Sequence, residues 1–287
     1  MTGDPDEVVA VVVTYRADPD DLRECLDALE RAGGLAHVVV IDNGGHVDLV
    51  ADAGRTIVRP ARNAGYGAAA NEGAAVARWR GAGAVVLLND DVVVTDGWLD
   101  PLLAELADPA VGAVQPMLVL GDGAHVNSLG VAIGPDGAGV DIAFGEPIDR
   151  IDGSARTIDV FSAGVVLFRP AFLDATGGFD ERFFLYYEDV DLARRGAELG
   201  WSYRCAPEAV VVHRKGASTS ELGDRLVYLQ ERNRLWSAFR HESPGTIARA
   251  LWLSLRRLRH PPQGVHLRAL VVGIGGGIRR LIERARR

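Results

Sequence analysis

Runs of apolar residues alternate with amphipathic segments along the first ninety residues of the chain. The first run, residues 8–15 (VVAVVVTY), is nearly continuous, which is typical of a strand buried on both faces of a parallel sheet. Residues 20–31 instead carry apolar side chains at helical spacing, and two glycines follow as a stop signal. Strands are predicted at residues 8–15, 37–41, 56–59 and 84–88, and helices at 20–31 and 71–80. This order predicts an open α/β sheet with mainly parallel strands and right-handed crossovers.

The patterns are weaker in the second half of the chain. Residues 121–150 are rich in Gly and Asp and predict irregular hairpins or loops. The remaining predicted elements are a strand at 160–169, a helix at 188–199, and a pair of strands at 203–205 and 209–213. From Arg225 onward the pattern is helical and basic.

Charge is distributed unevenly along the 287 residues, although the formal net charge is only −8. Residues 225–287 hold 14 Arg and 3 Glu, whereas residues 1–224 hold 17 Lys and Arg against 36 Asp and Glu. The acidic body argues against a nucleic-acid partner, because it would repel the phosphate backbone. The basic tail favours an anionic partner such as a membrane surface.

The two cysteines and the apolar stretches bear on the compartment. Cys25 and Cys205 lie far apart in no metal or redox spacing, so we expect ordinary core thiols in a reducing cytoplasm. No signal peptide is visible in the acidic first residues. The apolar stretch 269–278 is too short and too rich in glycine for a transmembrane helix. We therefore expect a cytoplasmic protein with peripheral contact at the inner face of the cell membrane.

That contact would be made by a helix in the basic tail. Ile247, Leu251, Leu255 and Leu258 fall on one helical stripe, and the neighbouring arginines lie away from it. Such a helix fits an anionic membrane interface. It equally fits a helix packed on the chain's own body with its arginines in water.

Polar residues follow the predicted strands at the ends where ligands bind in such sheets. Asp90 and Asp91 follow the strand at 84–88, and carboxylates there suit Mg²⁺ or Mn²⁺ held against a diphosphate. Asp42 ends the second strand and can accept hydrogen bonds from a ribose or a pyrimidine ring. All three also fit strand-ending turns, in which Asp is common.

Glycines open the segment 62–73 (RNAGYGAAANEG). They permit a phosphate or a sugar to approach the backbone closely. The segment does not follow the first strand, as a dinucleotide fingerprint would, and no Lys-Ser or Lys-Thr follows it as in a P-loop. A purely structural helix entry is the alternative.

Three acids follow an aromatic wall in residues 184–192 (FLYYEDVDL). Asp189 lies in the first turn of the predicted helix, and the aromatic residues partly desolvate it, which raises the pKa of a carboxyl group. An acid so placed suits a general base for a hydroxyl nucleophile. The alternative is a capped helix start in which Asp191 pairs with Arg195. His213, at the end of the strand 209–213, is a candidate metal ligand, although a lone His is usually structural.

Together these segments resemble the family-2 inverting glycosyltransferases of the GT-A fold, in particular the bacterial rhamnosyltransferase-like branch. The resemblance extends from about Val8 to about Arg240. Its motifs are VVVTY, IDN, RNAGYGAAANEG, LLNDD and the long segment from GGFDERFFLYYEDVDL to PEAVVVH. It implies a GT-A, Rossmann-like catalytic domain over residues 1–224, with a nucleotide-binding half (1–115) and an acceptor-binding half (116–224). Residues 225–287 form a basic helical extension.

The resemblance also implies roles for individual residues. Asp91 and His213 would be the metal ligands, Asp189 the catalytic base, and Glu188 a neighbour of the acceptor. The nucleotide-sugar would be bound by Thr14, Tyr15, Asp42, Asn63, Gly65, Asn89 and Asp90. Asn89 stands where the family's D-x-D motif has its first acid.

The implied function is an inverting, Mg²⁺- or Mn²⁺-dependent hexosyltransferase in cell-wall, polysaccharide or glycoconjugate biosynthesis. The expected donor is a dTDP- or UDP-sugar, with dTDP-rhamnose favoured, and the expected acceptor is a glycan or polyprenyl-linked sugar. A nucleotidyltransferase is the alternative enzyme, but TYRADPDD after the first strand is not a basic phosphate loop. A degenerate sugar-nucleotide binding module is the non-enzymatic alternative, and it would be expected to lack a base or a metal ligand.

Overall fold

The computed structural model describes residues 7–214 and 223–285, and an extended mixed sheet forms the centre of the first range. Its strands, together with a separate β8–β9 hairpin, are β1 (Val8–Thr14), β2 (His37–Asp42), β3 (Arg55–Val58), β4 (Ala84–Asn89), β5 (Val92–Val94), β6 (Val111–Leu120), β7 (Val126–Ser128), β8 (Val131–Ile133), β9 (Gly139–Asp141), β10 (Arg156–Ile158), β11 (Val165–Phe168) and β12 (Ser202–His213). The helices are α1 (Pro19–Ala32), α2 (Tyr66–Trp79), α3 (Leu99–Leu106), α4 (Pro170–Thr176), α5 (Glu188–Glu198), α6 (Gly223–His241), α7 (Pro244–Arg257) and α8 (Gln263–Ala285). Short 3-10 helices lie at Ile148–Arg150 and Glu181–Phe183.

The strand order of the sheet is β10-β12-β6-β11-β4-β1-β2-β3. β1 pairs in parallel with β2 and β4, and β2 pairs in parallel with β3, so the predicted parallel sheet is confirmed in this half. β11 is antiparallel to both of its neighbours, β4 and β6. β5 pairs with β12 and β7 pairs with β6. The carboxyl ends of β1, β2 and β4 meet at one edge of the sheet, as the crossovers require.

Both faces of the sheet are covered. Val9, Val11 and Val13 of β1 belong to one apolar cluster, whereas the residues between them belong to a second cluster on the other face. Alternate side chains of a strand point to opposite faces, so a strand covered on both sides reads as a continuous apolar run. Cys25 and Cys205 are buried free thiols, as expected.

Several predicted elements differ from the structure in their bounds. α2 begins at Tyr66 rather than at residue 71, because the Tyr66 N–H is satisfied by the Phe184 carbonyl outside the helix (2.7 Å). The strand predicted at 160–169 is limited to Val165–Phe168. Residues before it leave the sheet, and the Ser162 N–H donates to the Gln115 side chain (2.7 Å) instead of to a neighbouring strand.

The two strands predicted at 203–205 and 209–213 are one strand, β12. Its pairing with β6 shifts register between Ala206 and Val210, where Pro207 has no N–H to donate. β6 itself was not predicted, and it runs through the proposed division between residues 115 and 116 without a break. The two halves therefore share a continuous strand at that point.

The glycine-rich stretch in α8 packs against α6 rather than facing lipid. A Cβ atom added at Gly273 would lie 2.5 Å from Leu235, one at Gly277 would lie 2.6 Å from Phe239, and one at Gly276 would overlap Trp236. These three glycines therefore let the two helix backbones approach closely. Among the described residues, no helix combines the length and hydropathy needed to cross a membrane.

Most residues of the stripe that was predicted to face a membrane pack inside the chain. Ile247, Leu251 and Leu258 pack against a small core with Leu235 and Leu270, and only Leu255 is exposed (54%). These three residues therefore pack within the chain, and a membrane contact stays a prediction for the exposed side of α7. Residues 286–287 of the predicted extension lie outside the described residues.

A buried network of charges fastens the C-terminal helices to the body. Asp191 of α5 is fully buried and accepts from Arg195 (2.7 Å), Arg240 (2.8 Å) and His241 (2.9 Å). Burial alone would raise the pKa of Asp191, but the hydrogen bond from His241 and the two guanidinium charges outweigh it and hold the pKa below its usual range. The predicted pairing of Asp191 with Arg195 is confirmed.

Candidate active site

A cavity of about 750 Å³ opens where β1 and β4 end and where β12 reaches the same edge. Residues 184–190, which lead into α5, form one of its walls. The β8–β9 hairpin and the helices α6 and α7 contribute further walls. The cavity therefore joins the nucleotide-binding edge of the sheet to the C-terminal helices.

Asp90 and Asp91 turn into this cavity directly after β4. Burial raises the pKa of Asp90 to about 6, although the Thr14 hydroxyl and the Tyr15 N–H (3.3 Å) favour its charged form. The charge of Asp91 raises the same pKa further. Two adjacent, partly desolvated carboxylates favour a cation between or beside them.

Asp91 and His213 meet across the β5–β12 pairing. Asp91 Oδ1 lies 3.2 Å from His213 Nε2, and this buried oxygen has no hydrogen-bond donor among the described residues. His213 Nδ1 donates to Asn127 Oδ1 (2.6 Å), which orients the ring. A carboxylate oxygen facing an imidazole nitrogen fits a divalent cation. In the described ranges no group of three or more His, Cys, Asp or Glu is placed to hold a metal, so this pair would need ligands from a bound molecule.

The glycine segment forms a tight turn beside these acids. Asn63 Oδ1 accepts from the Asn43 side chain (3.0 Å) and from the Gly65 N–H (2.8 Å). Gly65 has φ of 105°, and any Cβ there would overlap the Phe184 carbonyl. Glycine is therefore required both by the backbone angle and by the close approach of residue 184.

Asp189 and Glu188 enter the cavity at the start of α5. Asp189 accepts from the N–H groups of Val190 (2.8 Å) and Ala163 (3.3 Å). Burial raises the pKa of Asp189 despite these bonds. Burial raises the pKa of Glu188 more strongly, the charge of Asp189 adds to it, and its Oε2 has no hydrogen-bond partner among the described residues. Asp189 is therefore the member of the pair that ionises first and is suited to accept a proton.

The backbone before these acids is strained. Phe184, Tyr186 and Tyr187 have φ of 71°, 67° and 68°, a region in which each non-glycine residue costs about 1–3 kcal/mol. Asn233 of α6 holds this backbone, since its side-chain amide donates to the carbonyls of Phe183 (2.9 Å), Leu185 (2.8 Å) and Tyr186 (2.8 Å). The position of Asp189 thus depends on a C-terminal helix.

Most of the predicted site residues line the cavity. They are Tyr15, Asn63, Gly65, Asn89, Asp90, Asp91, Glu188, Asp189 and His213. Thr14 and Asp42 do not line it. Thr14 is fully buried beside Asp90.

Asp42 occupies a strand-ending turn, the alternative that its sequence left open. Its carboxylate is 1% exposed and accepts from the N–H groups of Gly45 (2.7 Å), His46 (3.2 Å) and Val47 (3.1 Å). Arg59 lies 3.4 Å away. Contact with a base or a ribose stays a prediction for this residue.

Other residues of the site were missed by sequence reasoning. Asn43 stood in the IDN motif and was available as a candidate. Asn127 lies in the segment 121–150, which was predicted to be irregular, and Ala163 contributes only its backbone N–H, so nothing in the sequence marks either residue. Arg225, Arg234 and Arg257 of the C-terminal helices also line the cavity, although no site residue was predicted beyond His213.

Comparison with known proteins identifies the N-terminal part of the chain. The model of "Glycosyl transferase family 2" matches residues 9–130. An N-acetylglucosaminyl-diphospho-decaprenol L-rhamnosyltransferase of Mycobacterium tuberculosis is 32% identical over 147 residues, which cover 47% of this chain and 48% of the relative. A pre-mycofactocin glycosyltransferase of the same organism is 30% identical over 212 residues, which cover 71% of this chain and 42% of the relative. The chain thus spans about half the length of these curated relatives.

Solved structures share the fold at low sequence identity. GalNAc-T7, crystallised with UDP, GalNAc and Mn²⁺, aligns with a TM-score of 0.65 at 14% identity, covering 81% of this chain and 47% of the other. The mannosyltransferase PcManGT of Pyrobaculum calidifontis, in complex with GDP-Man and Mn²⁺, aligns with a TM-score of 0.54 at 15% identity, covering 98% of this chain and 90% of the other. These likenesses establish the expected GT-A fold. Residues 9–130 are therefore a glycosyl transferase family 2 domain, in a chain that is similar to rhamnosyltransferases.

Proposed function

We propose that the chain is an inverting glycosyltransferase that moves a sugar from a nucleotide-sugar to an acceptor hydroxyl. One observation carries this proposal: the Asp189 carboxylate opens into the same cavity as the Asp91–His213 pair. A base for a nucleophile and a site for a diphosphate are the two requirements of such a transfer. A degenerate binding module would have no reason to keep both.

Asp189 and Glu188 would act on the acceptor, in a different part of the cavity from the proposed metal site. Asp189 takes the proton from the acceptor hydroxyl as that oxygen attacks the anomeric carbon. Attack from the face opposite the departing diphosphate inverts the anomeric centre and needs no covalent intermediate on the protein. Glu188, whose pKa is raised further, stays protonated beside the base and can donate a hydrogen bond to the acceptor.

Asp91 and His213 would hold a divalent cation, which supplies positive charge to the departing diphosphate when bound. Asn127 fixes the His213 ring for this task through its 2.6 Å hydrogen bond. Tyr15, Asn63, Gly65, Asn89 and Asp90 would contact the nucleotide-sugar, with Thr14 and Asp42 behind them. Mn²⁺ is present in the GalNAc-T7 and PcManGT structures, and this supports Mn²⁺ or Mg²⁺ here.

The relatives support a more specific donor and acceptor. Similarity to an N-acetylglucosaminyl-diphospho-decaprenol L-rhamnosyltransferase supports dTDP-rhamnose as the donor, with UDP-sugars as the competing class. The same relative supports a polyprenyl-linked acceptor and a role in cell-wall or polysaccharide synthesis. We place the reaction in the cytoplasm at the inner face of the membrane.

Calorimetry with a panel of nucleotide-sugars and Mn²⁺ or Mg²⁺ tests the proposal. We expect one donor to bind wild type only with metal, and Asp91→Ala to lose that binding. Asp96 is an exposed aspartate five residues after Asp91. Asp96→Ala is therefore the matched control and should bind like wild type. A folded wild-type protein that binds no donor would refute the transferase.

A membrane contact is proposed for the exposed face of the C-terminal helices. Leu267 (53%), Val271 (62%), Ile278 (48%) and Ile282 (48%) form an exposed apolar stripe on α8. Trp252 (58%) and Leu255 (54%) extend the apolar surface on α7. Exposed arginines accompany this face, and they are Arg256, Arg259, Arg268 and Arg279. An apolar stripe with cationic neighbours matches an anionic bilayer surface.

A further inference from the structure

Arg234 is a guanidinium buried without a carboxylate partner. It is 2% exposed, and its two Nη groups donate to the Asp136 carbonyl (2.8 Å), the Ala250 carbonyl (3.2 Å) and the Ser254 hydroxyl (2.7 Å). Its Nε has no hydrogen-bond partner, and no ion pair joins it to any carboxylate in the described part of the chain. The charges of Asp136 and Glu231 act on Arg234 only from beyond ion-pair distance, so all its hydrogen bonds go to neutral groups. An anion in direct contact would stabilise this buried charge.

Arg234 lines the cavity together with two more arginines. Arg225, nine residues earlier on α6, places its guanidinium 4.5 Å from the centre of the Phe184 ring. Arg257, at the end of α7, contacts Glu231 (2.7 Å) and keeps 40% of its side chain exposed. Glu231 also accepts from His266 (2.9 Å), so its charge is shared. We call Arg225, Arg234 and Arg257 the arginine wall.

The arginine wall is fixed relative to the proposed base. Asn233, the neighbour of Arg234, holds the carbonyls of the strained backbone that leads into Asp189. Arg225 contacts Phe184 at the start of the same backbone. An anion on the wall would therefore lie at a fixed distance from the hydroxyl that Asp189 deprotonates.

The wall is built from different elements than the proposed donor site. Asp91 and His213 belong to the edge of the sheet, whereas the three arginines belong to α6 and α7. If the proposed function holds, the donor diphosphate lies with Asp91 and His213, and the wall is left for a second anion. A neutral sugar acceptor would bring no negative charge to this group of arginines, of which only Arg257 is in contact with a carboxylate.

We propose that the arginine wall is a subsite for a phosphate or diphosphate group carried by the acceptor. Guanidinium groups bind phosphate oxygens through paired, charge-assisted hydrogen bonds, and a phosphate would give Arg234 an anionic partner in direct contact. This inference rests on the proposed function, since it assigns the donor diphosphate to the other site. The acceptor class it names is a sugar linked through phosphate to a carrier.

Calorimetry on the nucleotide-loaded protein separates the two sites. The protein is first saturated with dTDP or UDP and Mg²⁺, and inorganic phosphate is then titrated at constant ionic strength against chloride. We expect phosphate to bind loaded wild type, and the double variant Arg225→Gln/Arg257→Gln to bind it at least about tenfold more weakly. Both side chains reach solvent, so this variant should fold. Arg249→Gln, an exposed arginine of α7 that does not line the cavity, is the control and should bind like wild type.

The outcomes distinguish the two proposals. Loss of nucleotide affinity in the double variant, with phosphate binding unchanged, would show that the arginines serve the donor and would overturn the acceptor subsite. Nucleotide binding without any phosphate binding by loaded wild type would also overturn the subsite and leave the proposed function intact. Absence of nucleotide binding would refute the proposed function and the acceptor assignment together. Arg234→Gln tests the buried member of the wall in the same phosphate titration, and it too should weaken phosphate binding.

Discussion

Asp189 and Asp191 lie two residues apart on one helix and have opposite surroundings. Asp189 faces the cavity, and burial raises its pKa. Asp191 faces Arg195, Arg240 and His241, which hold its pKa low. The sequence offered a catalytic base and a helix ion pair as competing interpretations of one acidic cluster. In the structure, the ion pair at Asp191 is confirmed and leaves Asp189 available as the proposed base.

Asp189→Asn tests the proposed base directly. The amide fills the same space but cannot accept the acceptor proton, so we expect the transfer rate to fall by about 10²–10⁴-fold. Donor affinity should be unchanged, because the donor is assigned to other side chains. Steady-state rates and donor calorimetry on the same preparations measure the two effects. Asp96→Asn should retain both, and an Asp189→Asn enzyme with normal turnover would exclude this residue as the base.

The pH dependence of transfer is a separate prediction. Asp189 must be ionised to act, and burial has raised its pKa above the ordinary carboxyl value of about 4. The wild-type rate should therefore fall, as the pH is lowered, at a higher pH than an exposed carboxyl group would give. A pH–rate profile measured with saturating donor checks this. An acid limb at the ordinary carboxyl pKa would contradict it.

At the scale of single elements, α8 shows how glycine can serve packing. Gly276 lies against Trp236, and the Trp236 indole N–H donates to the Val272 carbonyl of α8 (3.2 Å). Gly275 is the adjacent residue, and nothing lies within 4 Å of a Cβ placed there. The two neighbouring glycines therefore differ only in the space around them, which is filled at Gly276 and open at Gly275.

Gly275→Ala and Gly276→Ala should change stability in opposite directions. Alanine at the open position should raise the free energy of unfolding by about 0.5–1 kcal/mol, because glycine is a poor helix former. At Gly276 the new methyl group overlaps the indole, so we expect a loss of about 1–3 kcal/mol. Urea unfolding of both variants measures the difference. Equal effects would mean that α8 does not pack closely on α6.

Sequence patterns were informative for elements with uniform surroundings. β1 and β2, buried on both faces, and α1, with one apolar stripe, agree with their predictions within two residues. β12 was divided because its local pattern is broken at Pro207, while the ladder to β6 that unites it is a distant pairing. The start of α2 depends on the Phe184 carbonyl, far along the chain. Such contacts have no local pattern, which is also why Asn127 and the arginine wall were missed.

At the scale of the whole molecule, the basic tail is part of the body rather than an appendage. Arg240 and His241 of α6 meet Asp191, and Asn233 supports the backbone before Asp189. Removing residues 245–287 would uncover Leu235 and Trp236, which α7 and α8 cover. Point variants are therefore better suited than truncation to test what the tail does.

Asp191→Asn should weaken the whole chain. It leaves Arg195 buried without its carboxylate and Arg240 with Asp180 alone (3.1 Å), and breaking a buried pair costs about 3–5 kcal/mol. Asp174→Asn is the matched control, because its pair with Arg78 is half exposed and worth about 0–1 kcal/mol. The folded-state pKa of Asp191 is lowered, so its contribution is complete above pH of about 4 and is lost as the pH falls through that lowered pKa. Unfolding curves at several pH values should show the stability of Asp191→Asn approaching that of wild type only in acid. Equal losses of stability from Asp191→Asn and Asp174→Asn would contradict the importance of the network.

Vesicle sedimentation tests the proposed membrane face. Val271→Asp places a charge in the exposed stripe of α8, and it should reduce binding to vesicles that contain anionic lipid. Val50→Asp is the control, because Val50 is also exposed (81%) but lies on the body. Binding of wild type should also weaken with added salt. Equal binding by the two variants would remove the stripe as the contact.

β11 has a consequence for the order in which the protein is made. β4 and β6 are separated in the sheet by β11, which the ribosome synthesises after both of them. Until residues 165–168 emerge and pair, the edges of β4 and β6 that face β11 stay open, and open strand edges are templates for aggregation. A fragment that ends near residue 115 would keep such an edge permanently. We therefore expect the donor-binding and acceptor-binding parts to fold as one unit, so that neither is stable when it is expressed without the other.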